Sequence, residues 1–182
     1  MLKFIILGEE NIDKTKVIDS LINLPDSGKF NIAKVFTTND EFLEGKNLNY
    51  YYKISNEDFN ICYKNNAIFY VKTKVYINYG VTLDAFYENN IIFMNTEDFN
   101  NISNKIFQSN NDIVIIWLDT KKHQKKTIKR EISETNYLVD KITTDNMDYM
   151  YFLDADPLEV AKIINLYNSN PEIRRNLLEE YS

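Results

Sequence analysis

The segment Gly8-Glu9-Glu10-Asn11-Ile12-Asp13-Lys14-Thr15 carries the clearest chemistry in the chain. Its spacing is that of the phosphate-binding loop G-x-x-x-x-G-K-[ST], with Asp13 in place of the second glycine. Such a loop turns backbone N–H groups toward an anion at the start of a helix. Gly8, Asp13, Lys14 and Thr15 are therefore the candidate nucleotide-binding residues. Lys14 would pair with the β- and γ-phosphates of ATP, and the Thr15 hydroxyl would ligate Mg²⁺. Asp13 brings a negative charge where the phosphates would lie. Unscreened repulsion at partly buried range costs several kcal/mol, so weak nucleotide binding is expected.

A second group is basic: Lys121-Lys122-His123-Gln124-Lys125-Lys126, followed by Lys129-Arg130. It reads either as the solvated start of a helix or as a positive lid over phosphate groups. A third group is aromatic: Tyr50, Tyr51, Tyr52, Tyr70, Tyr76 and Tyr79. Tyrosines in a small sheet serve as packing, or they line a base-stacking pocket; the sequence leaves both readings open.

The elements that must position these groups follow from periodicity. Residues 2–7 are an apolar run too short for a secretory signal and read as a buried strand. A helix is expected over 14–24, broken by Pro25-Asp26-Ser27-Gly28. Strands are expected at 30–37 and 50–54, with a polar loop at 39–49. Ser55 followed by Glu57 and Asp58 signals a helix start, with the helix running to about 65. Residues 67–79 suit a hairpin, 82–87 a short helix, 91–94 a buried strand and 98–108 a helix. The unbroken apolar run 113–118 predicts a central parallel strand. A long helix at 125–142, a strand at 149–153, and helices at 157–167 and 171–180 complete the order, with Pro157 suiting a first turn. Strands alternating with helices imply an α/β fold, a parallel sheet with helices on both faces. Residues 37–80 interrupt that rhythm as a small antiparallel insert. A single domain over 1–182 is expected, with its core at about 1–36 and 81–182.

In order and spacing, several segments resemble the guanylate kinase family. Thr37-Thr38 resembles its Thr-Thr-Arg motif, and Tyr50 to Phe59 its Tyr-Phe-x-[Val/Ile]-[Ser/Asn]-x-x-[Glu/Asp]-Phe segment. Asn78-Tyr79-Gly80-Val81 resembles its Tyr-Tyr-Gly-Thr, Ile91 to Glu97 its strand ending in Asp-x-Asp, and Asp148 to Asp154 its last strand. The likeness spans residues 3–167. It implies a phosphate-binding-loop kinase core, an acceptor-nucleotide insert and a lid-like helical segment. It also implies ATP and Mg²⁺ as cofactors. Thr38, Tyr51, Tyr70 and Tyr79 then fall at acceptor-binding positions, and Thr15, Asn95 and Glu97 on the metal side. Lys14 and Arg130 become the candidate catalytic cations.

The departures are as specific as the matches. Asn39 and Phe42 stand where the family has two phosphate-holding arginines. Tyr70 stands where a carboxylate reads guanine, and Asn95 replaces the first aspartate of Asp-x-Asp. The lid between Asp119 and Lys129 is shortened. Phosphoryl transfer works mainly by positioning and by neutralising charge, so these losses count against efficient GMP phosphorylation. Three functions stand open: a diverged binding or regulatory module, an active nucleoside monophosphate kinase with altered acceptor choice, and a protein-interaction domain with a protein partner.

Composition narrows the field. The net charge of −6 opposes a nucleic-acid-coating surface. Cys62 is the only cysteine and His123 the only histidine, which excludes a cysteine-based metal cluster. No apolar run reaches the length needed to span a membrane. A cytoplasmic setting is the expectation.

Overall fold

The computed structural model describes residues 2–9, 12–25, 30–40, 49–74, 77–107, 112–120 and 148–181. The lysine-rich segment, Arg130, the expected helix at 125–142 and Phe42 lie outside the described residues. The chain divides into two compact units, one formed by Met1–Phe30 with Phe93–Ser182, the other by Asn31–Ile92.

The first unit is built on a parallel sheet of four strands in the order β6-β1-β7-β8. β1 (Lys3–Leu7) is buried along its whole length, and β7 (Ile113–Asp119) is buried up to its last residue. This is the unbroken apolar signature of strands covered on both faces. β1 aligns with β7 from Lys3 beside Ile113 to Leu7 beside Trp117. β7 aligns with β8 (Asp148–Leu153) from Val114 beside Asp148 to Asp119 beside Leu153.

Helices flank this sheet because their apolar residues recur every three to four positions. α1 (Lys14–Ile22) buries Val17, Ile18 and Leu21 along with Lys14. α4 (Thr96–Phe107) follows β6 (Ile91–Met94) and starts two residues earlier than its periodicity predicts. α5 (Pro157–Ser169) has proline in its first turn, and Asp156 caps it by accepting from the Glu159 N–H at 3.3 Å. α5 buries Val160, Ala161, Ile163, Ile164 and Tyr167. The terminal helix α6 (Arg174–Tyr181) is anchored by Tyr181, whose ring stacks on Phe152 at 5.1 Å. No helix among the described residues is long and apolar enough to cross a membrane.

The second unit carries its own sheet in the order β3-β2-β5-β4. Its strands are β2 (Val35–Thr37), β3 (Tyr51–Lys53), β4 (Ile68–Lys74) and β5 (Ile77–Thr82). β2 is shorter than the expected 30–37, and Ile32 makes only an isolated parallel bridge to Ile91. The sheet is also not purely antiparallel, because β2 and β3 pair in parallel. β2 and β3 lie about a dozen residues apart in sequence, the separation that a parallel pairing needs.

α2 (Asn56–Lys64) starts where the sequence predicts, with the Ser55 hydroxyl accepting from the Asp58 N–H at 3.0 Å. Thr82 caps α3 (Leu83–Glu88) in the same way, accepting from Ala85 N–H at 3.3 Å. Gly80 is fixed by contact: a Cβ there would sit 2.0 Å from the Tyr70 carbonyl oxygen. The neighbouring bulge between Ile68 and Tyr70 brings the two backbones together.

Candidate functional site

In an open parallel sheet, ligands bind outside the carboxyl ends of the strands. In the first unit that edge carries Gly8 after β1, Asn95 after β6, Asp119 at the end of β7 and Asp154 after β8. The loop turns tightly as it leaves β1. Ile12 N–H donates to Glu9 O at 3.0 Å, and Lys14 N–H to Ile12 O at 3.0 Å. Gly8 fits closely beside the next strand, since a Cβ there would lie 3.3 Å from the Leu118 carbonyl oxygen.

Lys14 opens α1 and is only 7% exposed. Its ammonium turns back into the loop, donating to Gly8 O at 3.0 Å, Glu9 O at 2.9 Å and Ile12 O at 3.2 Å. Its fourth acceptor is Asn95 Oδ1 at 3.0 Å. An ammonium has three N–H donors, so four acceptors engage them all. In this state the loop closes around its own lysine. A phosphate reaching the loop must therefore compete with these carbonyls and with Asn95.

Asp13 occupies the position that the motif usually leaves to glycine. Its φ of −78° is ordinary for any residue, so the backbone here does not require glycine. Its carboxylate makes no backbone cap. It accepts the Thr15 hydroxyl at 2.6 Å and lies 3.8 Å from the Lys16 ammonium. The expected negative charge is present but half exposed and partly offset. Asp13 and Thr15 also form a pair of adjacent hard oxygen donors, the ligand type Mg²⁺ takes.

Asn95 is committed to Lys14, whereas Glu97, in the first turn of α4, is exposed. Two acids of this unit escaped the sequence reading. The Glu9 carboxylate accepts a hydrogen bond from the Thr96 hydroxyl, tying the loop to the start of α4. Glu9 sits at a position the motif leaves unspecified, so nothing in the pattern marks it. Asp119 accepts from the Tyr151 hydroxyl and from the Thr120 N–H, both at 2.7 Å. Its signal was present as the single acid closing a long apolar run.

The expected acceptor residues all belong to the second unit. Thr38 is bound to β5 twice: its N–H donates to Asn78 O and its hydroxyl accepts from Asn78 N–H, each at 2.9 Å. Thr37 is fully buried, and its hydroxyl accepts from Asn39 N–H at 3.1 Å. Tyr51 and Tyr79 are half-buried. Tyr70 is 6% exposed, and its hydroxyl is out of reach of solvent.

The aromatic residues are divided between the two faces of this sheet. Phe36, Tyr52 and Phe59 of α2 pack together, with ring centroids 6.5 Å and 6.0 Å from Phe36. Burial there pushes the Tyr52 phenol above its ordinary pKa, a hydrogen bond with Thr82 opposes the shift, and the nearby Cys62 thiol adds to it. Tyr51 and Tyr79 belong to the opposite face, because successive strand residues alternate.

Among solved structures, the fold is similar to the crystal structure of guanylate kinase from Anaplasma phagocytophilum, with a TM-score of 0.56. The match covers 98% of this chain and 85% of that one at 15% identity. Neither a protein-family model nor a curated protein matches the sequence.

Proposed function

We propose that this chain, folded like a guanylate kinase, is a diverged nucleotide-binding or regulatory module in which GMP kinase activity is lost or impaired. The observation that carries this reading is the state of Lys14. The one cation that the motif assigns to the donor phosphates is held by three loop carbonyls and Asn95. Asn95 stands where the resemblance implies a metal-side carboxylate, and here its amide oxygen serves the lysine. Breaking those bonds subtracts from whatever ATP–Mg²⁺ gains, which supports weak or altered nucleotide binding.

A second reading, an active monophosphate kinase with a different acceptor, is favoured by the Asp13–Thr15 pair. When bound, Mg²⁺ would neutralise phosphate charge, and these two oxygens are suited to hold it. Lys14 and Arg130 would then carry the charge of the transfer. Either way GMP is a poor acceptor. A buried carboxylate that reads guanine gives strong discrimination, and the buried Tyr70 hydroxyl replaces it.

Calorimetric titration of ATP–Mg²⁺ into the pure protein is the test, followed by phosphate-transfer assays on GMP, AMP, CMP and UMP. Weak ATP binding with little or no turnover is expected. Efficient GMP phosphorylation, preferred over the other three, would overturn the proposal.

A further inference from the structure

Strand order sets two turns side by side in the first unit. β6 neighbours β1, so the junction between β6 and α4 lies beside the loop that leaves β1. The junction grips that loop through two consecutive residues. Asn95 Oδ1 accepts from the Lys14 ammonium at 3.0 Å, and the Thr96 hydroxyl donates to the Glu9 carboxylate. Glu9 passes the grip on to the loop. Its carboxylate is held by Thr96, while its carbonyl oxygen accepts from Lys14 Nζ at 2.9 Å and from Ile12 N–H at 3.0 Å.

The junction is the fixed side of this contact. Met94 before it and Thr96 within it are buried. Phe99 N–H donates to Asn95 O at 3.0 Å, and Phe99 is fully buried. On the loop side Ile12 is half-buried and Asp13 exposed. The carbonyl oxygens of Gly8, Glu9 and Ile12 face the ammonium at the centre of the loop. An anion needs N–H groups there.

We propose that Asn95 and Thr96 form an autoinhibitory latch that holds the loop closed against the phosphates of a nucleotide. The assignment rests on the reading of Lys14 above and adds what keeps the loop shut. To admit a phosphate the loop must turn its carbonyls away, which parts Lys14 from Asn95 and Glu9 from Thr96. Glu9 and Thr96 are positioning residues, acting through the loop backbone. When the binding-competent state is the minor one, apparent affinity is reduced by its population. Deleting one hydrogen bond to a charged group from the closed state raises that population about tenfold.

The test uses the full chain and two measurements. In calorimetry with ATP–Mg²⁺, Thr96→Val and Asn95→Ala should each bind about tenfold more tightly than the parent. Thr96→Ser keeps the hydroxyl and should bind as the parent does. Arg175→Gln, which removes an exposed ion pair of α6, should also change nothing. Amide hydrogen exchange without nucleotide reads the latch directly. The Ile12 and Lys14 N–H groups should exchange several-fold faster in Thr96→Val, and at the parent rate in Thr96→Ser. Unchanged circular dichroism would confirm folding in every variant. The latch is overturned if either folded variant binds ATP–Mg²⁺ no more tightly than the parent, an absence of binding in all proteins included. It is also overturned if loop exchange is the same in all of them. Efficient GMP phosphorylation by the parent, beside tighter ATP binding by Thr96→Val, would sink the functional reading and keep the latch. Weak binding that neither variant improves would do the reverse.

Discussion

Replacing Lys14 with methionine keeps most of the stem's volume and deletes the ammonium that closes the loop. Four acceptors lose their donor: the carbonyls of Gly8, Glu9 and Ile12, and Asn95 Oδ1. Only the Gly8 bond is fully buried; the other three are partly open, so water can replace the donor there. A buried acceptor left unsatisfied costs about 1–3 kcal/mol. Against this, the variant no longer desolvates an ammonium, a term of several kcal/mol that the four bonds now offset. The net expectation is a loss of about 2 kcal/mol. For a chain of this length that lowers the melting temperature by roughly 4–8 °C.

Thermal unfolding followed by circular dichroism, with and without ATP–Mg²⁺, reads both roles of Lys14 in one experiment. Ligand that binds only the folded state raises the melting temperature by mass action. The parent should gain a small increment and Lys14→Met none. A variant that melts with the parent would refute the closed loop as a stabilising element. One that melts lower yet keeps the parent's ATP-dependent increment would refute Lys14 as a nucleotide contact.

Asp13→Gly removes a half-exposed charge from the loop and frees the Thr15 hydroxyl from its 2.6 Å partner. ATP–Mg²⁺ affinity should rise by about three- to tenfold, reflecting a screened repulsion of about 1 kcal/mol; equal or weaker binding by calorimetry would show that Asp13 assists the ligand. Gly80→Ala forces a Cβ to within 2.0 Å of the Tyr70 carbonyl, a backbone atom that cannot step aside alone. A loss of roughly 3 kcal/mol or more is expected in chemical denaturation, and an unchanged midpoint would contradict the close approach.

Tyr167 sets an alkaline limit. Burial first, then the 2.5 Å hydrogen bond it donates to Asp148, raise its phenol well above the ordinary 10.0. The folded state keeps the proton that the unfolded chain releases, so this stability is complete below pH 10 and falls as pH rises past it. Tyr167→Phe should remove this part of the alkaline decline. Burial lowers the pKa of Lys3, which works in the opposite sense below its ordinary 10.5. Tyr52 and Tyr181, whose phenols burial also raises, keep part of the decline, so denaturant midpoints across pH 9–11 should fall less steeply in the variant than in the parent, and an unchanged alkaline slope would refute the assignment.

Much of the scaffold was legible in the residues alone because its signals are local. Alternation and unbroken apolar runs marked β1, β6, β7 and β8, and Ser55 as a cap and Pro157 in a first turn marked two helix starts. The loop spacing put Lys14 and Thr15 at the opening of a helix after the first strand, and α1 begins at Lys14. What stayed hidden depends on which distant segment each side chain meets. Lys14 binds Asn95, which lies 81 positions away, and Glu9 binds Thr96 at a separation of 87. The parallel pairing of β2 with β3 was equally hidden, because the hydrophobic period fixes which residues share a face of one strand but not which strand lies beside it. Local residue pattern was enough to set the kinds of elements and to mark Gly8, Lys14 and Thr15 as a phosphate-loop spacing. Tertiary structure alone decided that the loop lysine bonds to Asn95 and that Thr96 holds Glu9, because both outcomes depend on long-range pairing.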